Sequence, residues 1–156
     1  MRTDSSRLAE LRRHLILDSS PERAYDDITQ MLSSSMQVPI AMVSLLDDKR
    51  DWFKSVLGLP VTESPASTSF CERFFFTTDD IIVVENTAND ALFASHPLVV
   101  GPPYVRFYAA ARLAINGQTL GTLCVYDVRP HQVSGEAIEQ LRFLAGNAMS
   151  LIRRRV

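Results

Sequence analysis

The sequence predicts an α/β domain of the α+β kind. One antiparallel sheet would carry the N- and C-terminal helices on one face and crossover helices and loops over a pocket on the other. Three observations lead to this fold class. Apolar residues recur at helical spacing near both ends, apolar runs typical of strands covered on both faces occupy the middle, and Asn116-Gly117 is a strong signal for a tight hairpin turn.

Composition limits the classes of protein to which the chain can belong. Its 156 residues suit one domain, and 46% hydrophobic with 22% charged residues are ordinary for a globular protein. A formal net charge of −2 gives no basic surface for nucleic acid. No apolar run reaches the ~20 residues that cross a bilayer, and the N-terminus lacks the apolar stretch of a signal peptide. We therefore expect a cytoplasmic protein that binds neither nucleic acid nor membrane.

Residues 1–19 are expected to form an amphipathic N-terminal arm, because Leu8, Leu11 and Leu15 recur at helical spacing. The main domain is predicted to span residues 20–156. It begins with Ser20-Pro21-Glu22, which supplies a cap, a proline suited to the first helical position and an acidic residue in the first turn. This helix is predicted to end near Gln37.

Two paired strands are predicted after this helix. Residues 38–46 form a nearly continuous apolar run, which is typical of a central strand covered on both faces. A charged turn over residues 47–51 leads into a second strand over residues 52–56, so the two strands pair as a hairpin. Residues 58–68 contain two prolines and are predicted to be loop.

The second half of the chain is predicted to hold a short helix over residues 69–74, three strands and a long helix. Residues 81–84 form the first of these strands. A proline-bounded loop leads into a strand over residues 106–113, and the turn at Asn116-Gly117 joins it to a strand over residues 119–126. That dipeptide tolerates positive φ at both central turn positions. Ser134 is predicted to cap the last helix.

Because the irregular segment over residues 58–104 is expected to lie over one face of the sheet, a cavity is expected between the two. Such cavities are where small molecules usually bind. Eight residues are expected to face it: Trp52, Phe70, Cys71, Phe93, Tyr104, Arg106, Tyr108 and Cys124. Aromatic residues at such positions also serve as ordinary core. Arg106 is harder to bury without an anionic or carbonyl partner, such as Asp90. With Tyr104 and Arg106 at the rim, the expected ligand is anionic, or polar and planar.

The order of short motifs along the chain resembles that of GAF domains, the sensory domains that precede bacterial diguanylate cyclases and histidine kinases. The similarity covers nearly the whole chain. It is carried by Ser20-Pro21-Glu22, residues 38–45, Asp51-Trp52-Phe53-Lys54-Ser55, Ser69-Phe70-Cys71, His96-Pro97, Gly101-Pro102-Pro103 and residues 120–127. The resemblance implies a homodimeric domain that binds a small molecule or relays a signal through helices at its interface. It also implies a separate output domain, so the chain works alone, regulates a signalling partner in trans, or is a piece of a longer protein.

The sequence identifies neither the ligand nor a cofactor. No segment matches the pattern of the cyclic-nucleotide-binding branch, and Cys71 is followed by Glu72 where bilin-binding relatives often have histidine. The three histidines are isolated in the sequence, so no metal site is predicted. The motifs of hydrolases, metalloproteases and nucleotide-binding enzymes are missing from the sequence, and we predict no catalytic residue and no enzyme activity.

A small redox enzyme is the alternative function. Free methionine sulfoxide reductases resemble GAF domains and work with a set of cysteines, a role that Cys71 and Cys124 would have to fill here. We expect both to be free, reduced thiols, because a cytosolic domain of this size does not need a disulfide. Buried cysteines then act as small apolar residues of the core.

Overall fold

Six strands within residues 1–155 form one antiparallel sheet. The structure, a computed structural model, describes these residues, so Val156, the last residue of the predicted 20–156 domain, lies outside the described part. The strands are β1 (Ile40–Leu46), β2 (Arg50–Leu57), β3 (Glu63–Pro65), β4 (Ile81–Val84), β5 (Phe107–Ile115) and β6 (Gln118–Asp127). Their order is β3-β2-β1-β6-β5-β4, and all neighbours are antiparallel. The predicted fold class is confirmed.

Helices cover both faces of the sheet. The α-helices described are α1 (Ser5–Arg13), α2 (Arg23–Met36), α3 (Pro97–Val100) and α4 (Gly135–Arg153), and 3-10 helices span Ala66–Thr68, Phe70–Phe75 and Thr87–Asn89. Helices α1, α2 and α4 pack on one face, and most of the chain between β2 and β5 packs on the other. Among the residues that the structure describes, no helix is both long and apolar enough to cross a membrane.

Local sequence signals set several element boundaries. Ser134 caps α4, because its hydroxyl accepts a hydrogen bond of 3.1 Å from the N–H of Ala137. Helix α2 ends at Gln37, whose φ of 56° is left-handed. Asn116 and Gly117 have φ values of 53° and 77° between β5 and β6. The predicted cap, helix end and hairpin turn are therefore confirmed.

Three local predictions are wrong. Ser20 does not cap α2, which begins three residues later with Glu22 at the N-cap position. Residues 63–65, predicted to be loop, form β3 because their backbone pairs with β2. Leu15 is 75% exposed and Ile16 is fully buried in its place, since α1 ends before Leu15 and the helical spacing stops there.

The two faces of the sheet carry separate cores. The helix-side core joins Leu11 of α1, Tyr25 of α2 and Leu144 of α4 to one face of the strands. The loop-side core joins the other face of the strands to the chain between β2 and β5, through residues such as Met42 and Phe74. Successive strand residues point to opposite faces, which is why the strands apolar on both faces are central. The division of the chain at residue 19 stays a prediction.

Candidate functional site

A cavity of about 130 Å³ lies in the loop-side core. Strands β1, β2 and β6 form its floor, and its walls come from residues 59–64, from the two 3-10 helices at residues 66–75, and from α3 and the loop after it. Most of the lining is apolar: Ile40, Met42, Phe53, Leu59, Val61, Phe70, Leu98, Pro103, Val105 and Tyr126. This composition suits a ligand whose surface is mostly apolar.

The remaining lining side chains are polar and come from neighbouring positions in the fold. They are Asp51 of β2 and three hydroxyl residues, Ser64, Thr68 and Ser69. Asp51 and Ser64 are direct register partners across β2 and β3, and the other two follow within five residues of Ser64. We call these four residues the polar end of the cavity. Its side chains offer hydrogen-bond acceptors and hydroxyl donors.

The carboxylate of Asp51 is buried and faces a fixed cation. Asp51 is 4% exposed, and Nη1 of Arg2 lies 2.9 Å from its Oδ1 atom. Burial raises the pKa of Asp51, and the Arg2 charge and the Ser69 hydroxyl act against this rise. The Arg2 guanidinium also donates to Oε1 of Glu72 at 2.8 Å and to the carbonyl of Asp47 at 2.8 Å. The N-terminal segment is thus anchored directly behind the polar end.

Phe70 forms the wall between the cavity and a second, more open space. Its ring stacks on His96 at 4.1 Å between centroids and on Phe93 at 5.3 Å, and it contacts Tyr108 and Tyr126 at 5.3 and 5.5 Å. Beyond it lies an outer depression of about 510 Å³. Burial lowers the pKa of His96, which keeps the stacked imidazole neutral at neutral pH.

The structure brings five of the eight predicted site residues together in the loop-side core. They are Phe70, Cys71, Phe93, Tyr108 and Cys124. Phe70 alone of these five lines the cavity, while Phe93 lines the outer depression.

The two cysteines lie beneath the site in a buried polar cluster. Both are free, and Sγ of Cys71 lies 3.1 Å from the Tyr108 hydroxyl and 3.0 Å from the Thr122 hydroxyl. Burial raises the pKa of Cys124 and of Tyr108 well above their ordinary values, so both groups stay protonated at neutral pH. Cys71 and Cys124 are no more than 1% exposed, so the folded protein shields both sulfurs from solvent.

The other three predicted site residues do not face the cavity. Trp52 lies in the helix-side core, and Tyr104 is 49% exposed at a left-handed φ of 61°. Arg106 uses its guanidinium inside the protein, where Nη1 donates to the carbonyl of Val99 at 2.8 Å and to that of Val105 at 3.2 Å. The expected carbonyl partner is therefore present, in place of Asp90, and Arg106 fastens the loop after α3. The expectation of an arginine at the cavity rim is wrong.

Sequence reasoning missed the polar end of the cavity. It placed Asp51 in a charged turn, whereas β2 begins at Arg50 and includes it. The alternation of Asp51, Trp52 and Phe53 indicates that the outer two side chains share the face opposite Trp52, but it does not say which face that is. Within residues 1–155, no group of three or more His, Cys, Asp or Glu side chains is arranged to hold a metal ion.

Comparisons with known proteins agree with the fold. A cyclic di-GMP phosphodiesterase of Pseudomonas aeruginosa, PA2567, is 35% identical over 116 residues, which are 74% of this chain and 20% of that protein. The GAF domain from Acinetobacter phosphoenolpyruvate-protein phosphotransferase superposes with a TM-score of 0.70 at 20% identity, over 97% of this chain and 95% of that one. The blue-light absorbing PixJ GAF-domain of Thermosynechococcus elongatus gives 0.70 at 18% identity, over 94% and 89%.

The matched region therefore spans about one fifth of the curated relative, and the two solved structures show a shared fold. The family model described as "GAF domain" matches residues 20–152. Because this match covers most of the chain, from α2 to the last turn of α4, the protein belongs to the GAF domain family.

Proposed function

We propose that this domain is a non-catalytic sensor that binds a small molecule in the cavity beneath Phe70. The observation that carries the proposal is the cavity itself, about 130 Å³ of space with apolar walls and one polar end. Leu59 and Val61 line this space and are 37% and 44% exposed, so a small molecule can enter it from solvent. Membership of a family found in signalling proteins supports a sensory and regulatory role.

Strand β2 offers a path from the cavity to the helices. Phe53 lines the cavity, and the next residue, Lys54, is buried on the helix side. The Lys54 ammonium donates to the carbonyl of Ser20 at 2.5 Å and forms an ion pair of 2.6 Å with Glu22. Glu22 forms a second ion pair of 2.6 Å with Arg155, just after α4. A ligand that shifts β2 would therefore change how the end of α4 is held.

The signal would leave the domain through the exposed faces of α2 and α4. Met31 of α2 is 52% exposed and Phe143 of α4 is 63% exposed, although both are large and apolar. A symmetric homodimer that pairs these helices would cover both side chains. We place the output in another domain or in a partner protein, since the matched region is one fifth of the P. aeruginosa relative.

Occupancy of the cavity can be tested with a pair of matched variants. Val61 lines the cavity and is 44% exposed, so Val61→Phe should fill the space with little strain. Val128 is 55% exposed and lies outside the cavity lining, so Val128→Phe is the control. Native mass spectrometry of protein purified from its own host should show a bound small molecule with wild type and Val128→Phe and none with Val61→Phe. Equal occupancy in all three proteins, or none in any, would contradict the proposal.

A further inference from the structure

We infer that the cavity takes an uncharged molecule about the size of one aromatic ring, with an O–H or N–H donor directed at the polar end, and that it rejects anions and nucleotides. This inference rests on the proposed sensing function and names its ligand class. This ligand class differs from the anionic, or polar and planar, ligand that the sequence led us to expect.

The volume of the cavity sets the size of the ligand. An engineered cavity of about 150 Å³ in an apolar core binds benzene. The cavity here is nearly as large, at about 130 Å³. A nucleotide adds a sugar and a phosphate to its base, and drug-sized ligands occupy sites of roughly 300–1,000 Å³. Phe70, packed against four other aromatic rings, closes the inner side of the cavity, so only the side lined by the exposed Leu59 and Val61 is open among the described lining residues, and the part of a ligand that the cavity holds is limited to about one ring.

The charges around the cavity set the charge of the ligand. Asp51 is the one charged side chain among the described lining residues. Behind it, Arg2 contacts both Asp51 and Glu72, and Arg7 donates to the carbonyl of Arg2. Two carboxylates and two guanidinium groups balance, so no positive charge is left over for an anion. An anionic ligand would lose its hydration next to a buried carboxylate, which is costly.

The polar end sets the need for a donor. The Nη1 atom of Arg2 already donates to the carbonyl of Asp47 at 2.8 Å and that of Arg50 at 3.4 Å. Within the described residues, Oδ1 of Asp51 accepts no hydrogen bond and is shielded from solvent beside the Arg2 charge, so the acceptors that a ligand can reach are the rest of the carboxylate and the hydroxyl oxygens of Ser64, Thr68 and Ser69. The carboxylate is therefore neutralised by charge but still a strong acceptor. An uncharged hydroxyl or amine of a ligand would supply the donor without bringing a second charge into the core.

Four compounds separate size, charge and donor. Phenol has one ring and a donor, toluene has a ring of similar size without a donor, benzoate is an anion, and 3′,5′-cyclic GMP is a nucleotide. By calorimetry with wild-type protein we expect phenol to bind about tenfold more tightly than toluene, with no binding of benzoate or cyclic GMP. Val61→Phe should weaken phenol binding at least tenfold, and Val128→Phe should leave it unchanged.

Two variants test the polar end without filling the cavity. Thr68→Val keeps the side-chain shape and removes a hydroxyl, and Asp51→Asn removes the charge; each should reduce the preference for phenol over toluene several-fold. Thr68 is only partly buried, so its variant should fold even if Asp51→Asn does not. Equal binding of phenol and toluene by wild type, or tighter binding of benzoate or cyclic GMP, would overturn the inference. If a compound outside this class occupies the cavity in a Val61-dependent way, this inference fails while the sensing function stands; if no compound does, both fail.

Discussion

Replacing Phe70 by alanine tests whether the cavity is a separate, ring-sized space. The Phe70 side chain is 3% exposed and packs against the rings of Phe93, His96, Tyr108 and Tyr126. Phe→Ala substitutions in cores cost about 3–5 kcal/mol, and the cost rises with the empty space left behind. The Phe70 ring lies between two existing spaces, of about 130 and 510 Å³. Few neighbouring side chains can therefore move into the volume that the ring leaves. We expect a loss of about 4 kcal/mol in the free energy of unfolding.

Urea denaturation followed by circular dichroism measures this loss. With an m-value of about 2 kcal/mol/M, the unfolding midpoint of Phe70→Ala should fall by about 2 M. Phe76 is the matched control, because it lines the outer depression and is 67% exposed, so Phe76→Ala should cost no more than about 0.5 kcal/mol. A loss below about 1 kcal/mol for Phe70→Ala would refute the reasoning. The ring would then not be a packed wall, and the two spaces would act as one.

Three further predictions follow from the fold. Gly121→Ala should cost about 3 kcal/mol or more in unfolding free energy, because a Cβ atom there would clash with the carbonyl oxygen of Ser44 in β1. A stability close to that of wild type in urea denaturation would contradict this packing. Phe143→Glu should leave the thermal stability nearly unchanged and convert a dimer to a monomer by light scattering, since the side chain is 63% exposed; an unchanged mass would place the interface elsewhere. Cys71 and Cys124 should react with iodoacetamide only after denaturation, because both are buried and free. A reversible disulfide between them, detected by mass spectrometry after peroxide treatment, would favour the alternative function as a small redox enzyme.

The parts of the fold that could be predicted are those specified by local chemistry. The turn at Asn116-Gly117 needs two residues that accept positive φ, and the start of α4 needs an oxygen at Ser134 that accepts from a free N–H. Strand β3 has no such signal. Its three residues are exposed or half-buried, and their extended form comes from pairing with β2, a contact that no local pattern specifies.

The same distinction explains the error at Trp52. Val56 packs on the loop side of β2, and Ser55 bonds to Thr29 of α2 on the helix side. If side chains alternated strictly from these two residues back to Trp52, the Trp52 side chain would face the cavity. The pairing of β1 and β2 contains a register shift: Val43 pairs with Ser55, and the next residue, Ser44, pairs with Phe53. Lys54 is therefore an extra residue in β2 without a partner in β1. This bulge reverses the alternation. It turns Trp52 to the helices and Phe53 to the cavity.

Predicting the members of the loop-side core was easier than predicting its cavity. Phe70, Cys71, Tyr108 and Cys124 are apolar or amphipathic residues of strands and crossover segments, so burial places them together. The space between them depends on how the side chains of separate loops pack, which composition does not encode. Arg106 illustrates this limit, since the carbonyl groups that bind it come from Val99 of α3 and Val105 of the loop after α3.

A crystal structure of the protein purified from its own host tests the central claim most directly. We predict electron density for one small molecule in the cavity, bounded by Phe53, Phe70 and Val105, with a donor atom within hydrogen-bond distance of Asp51 or of a hydroxyl of the polar end. A cavity filled by the protein's own side chains, or density for a ligand only in another part of the domain, would contradict the account.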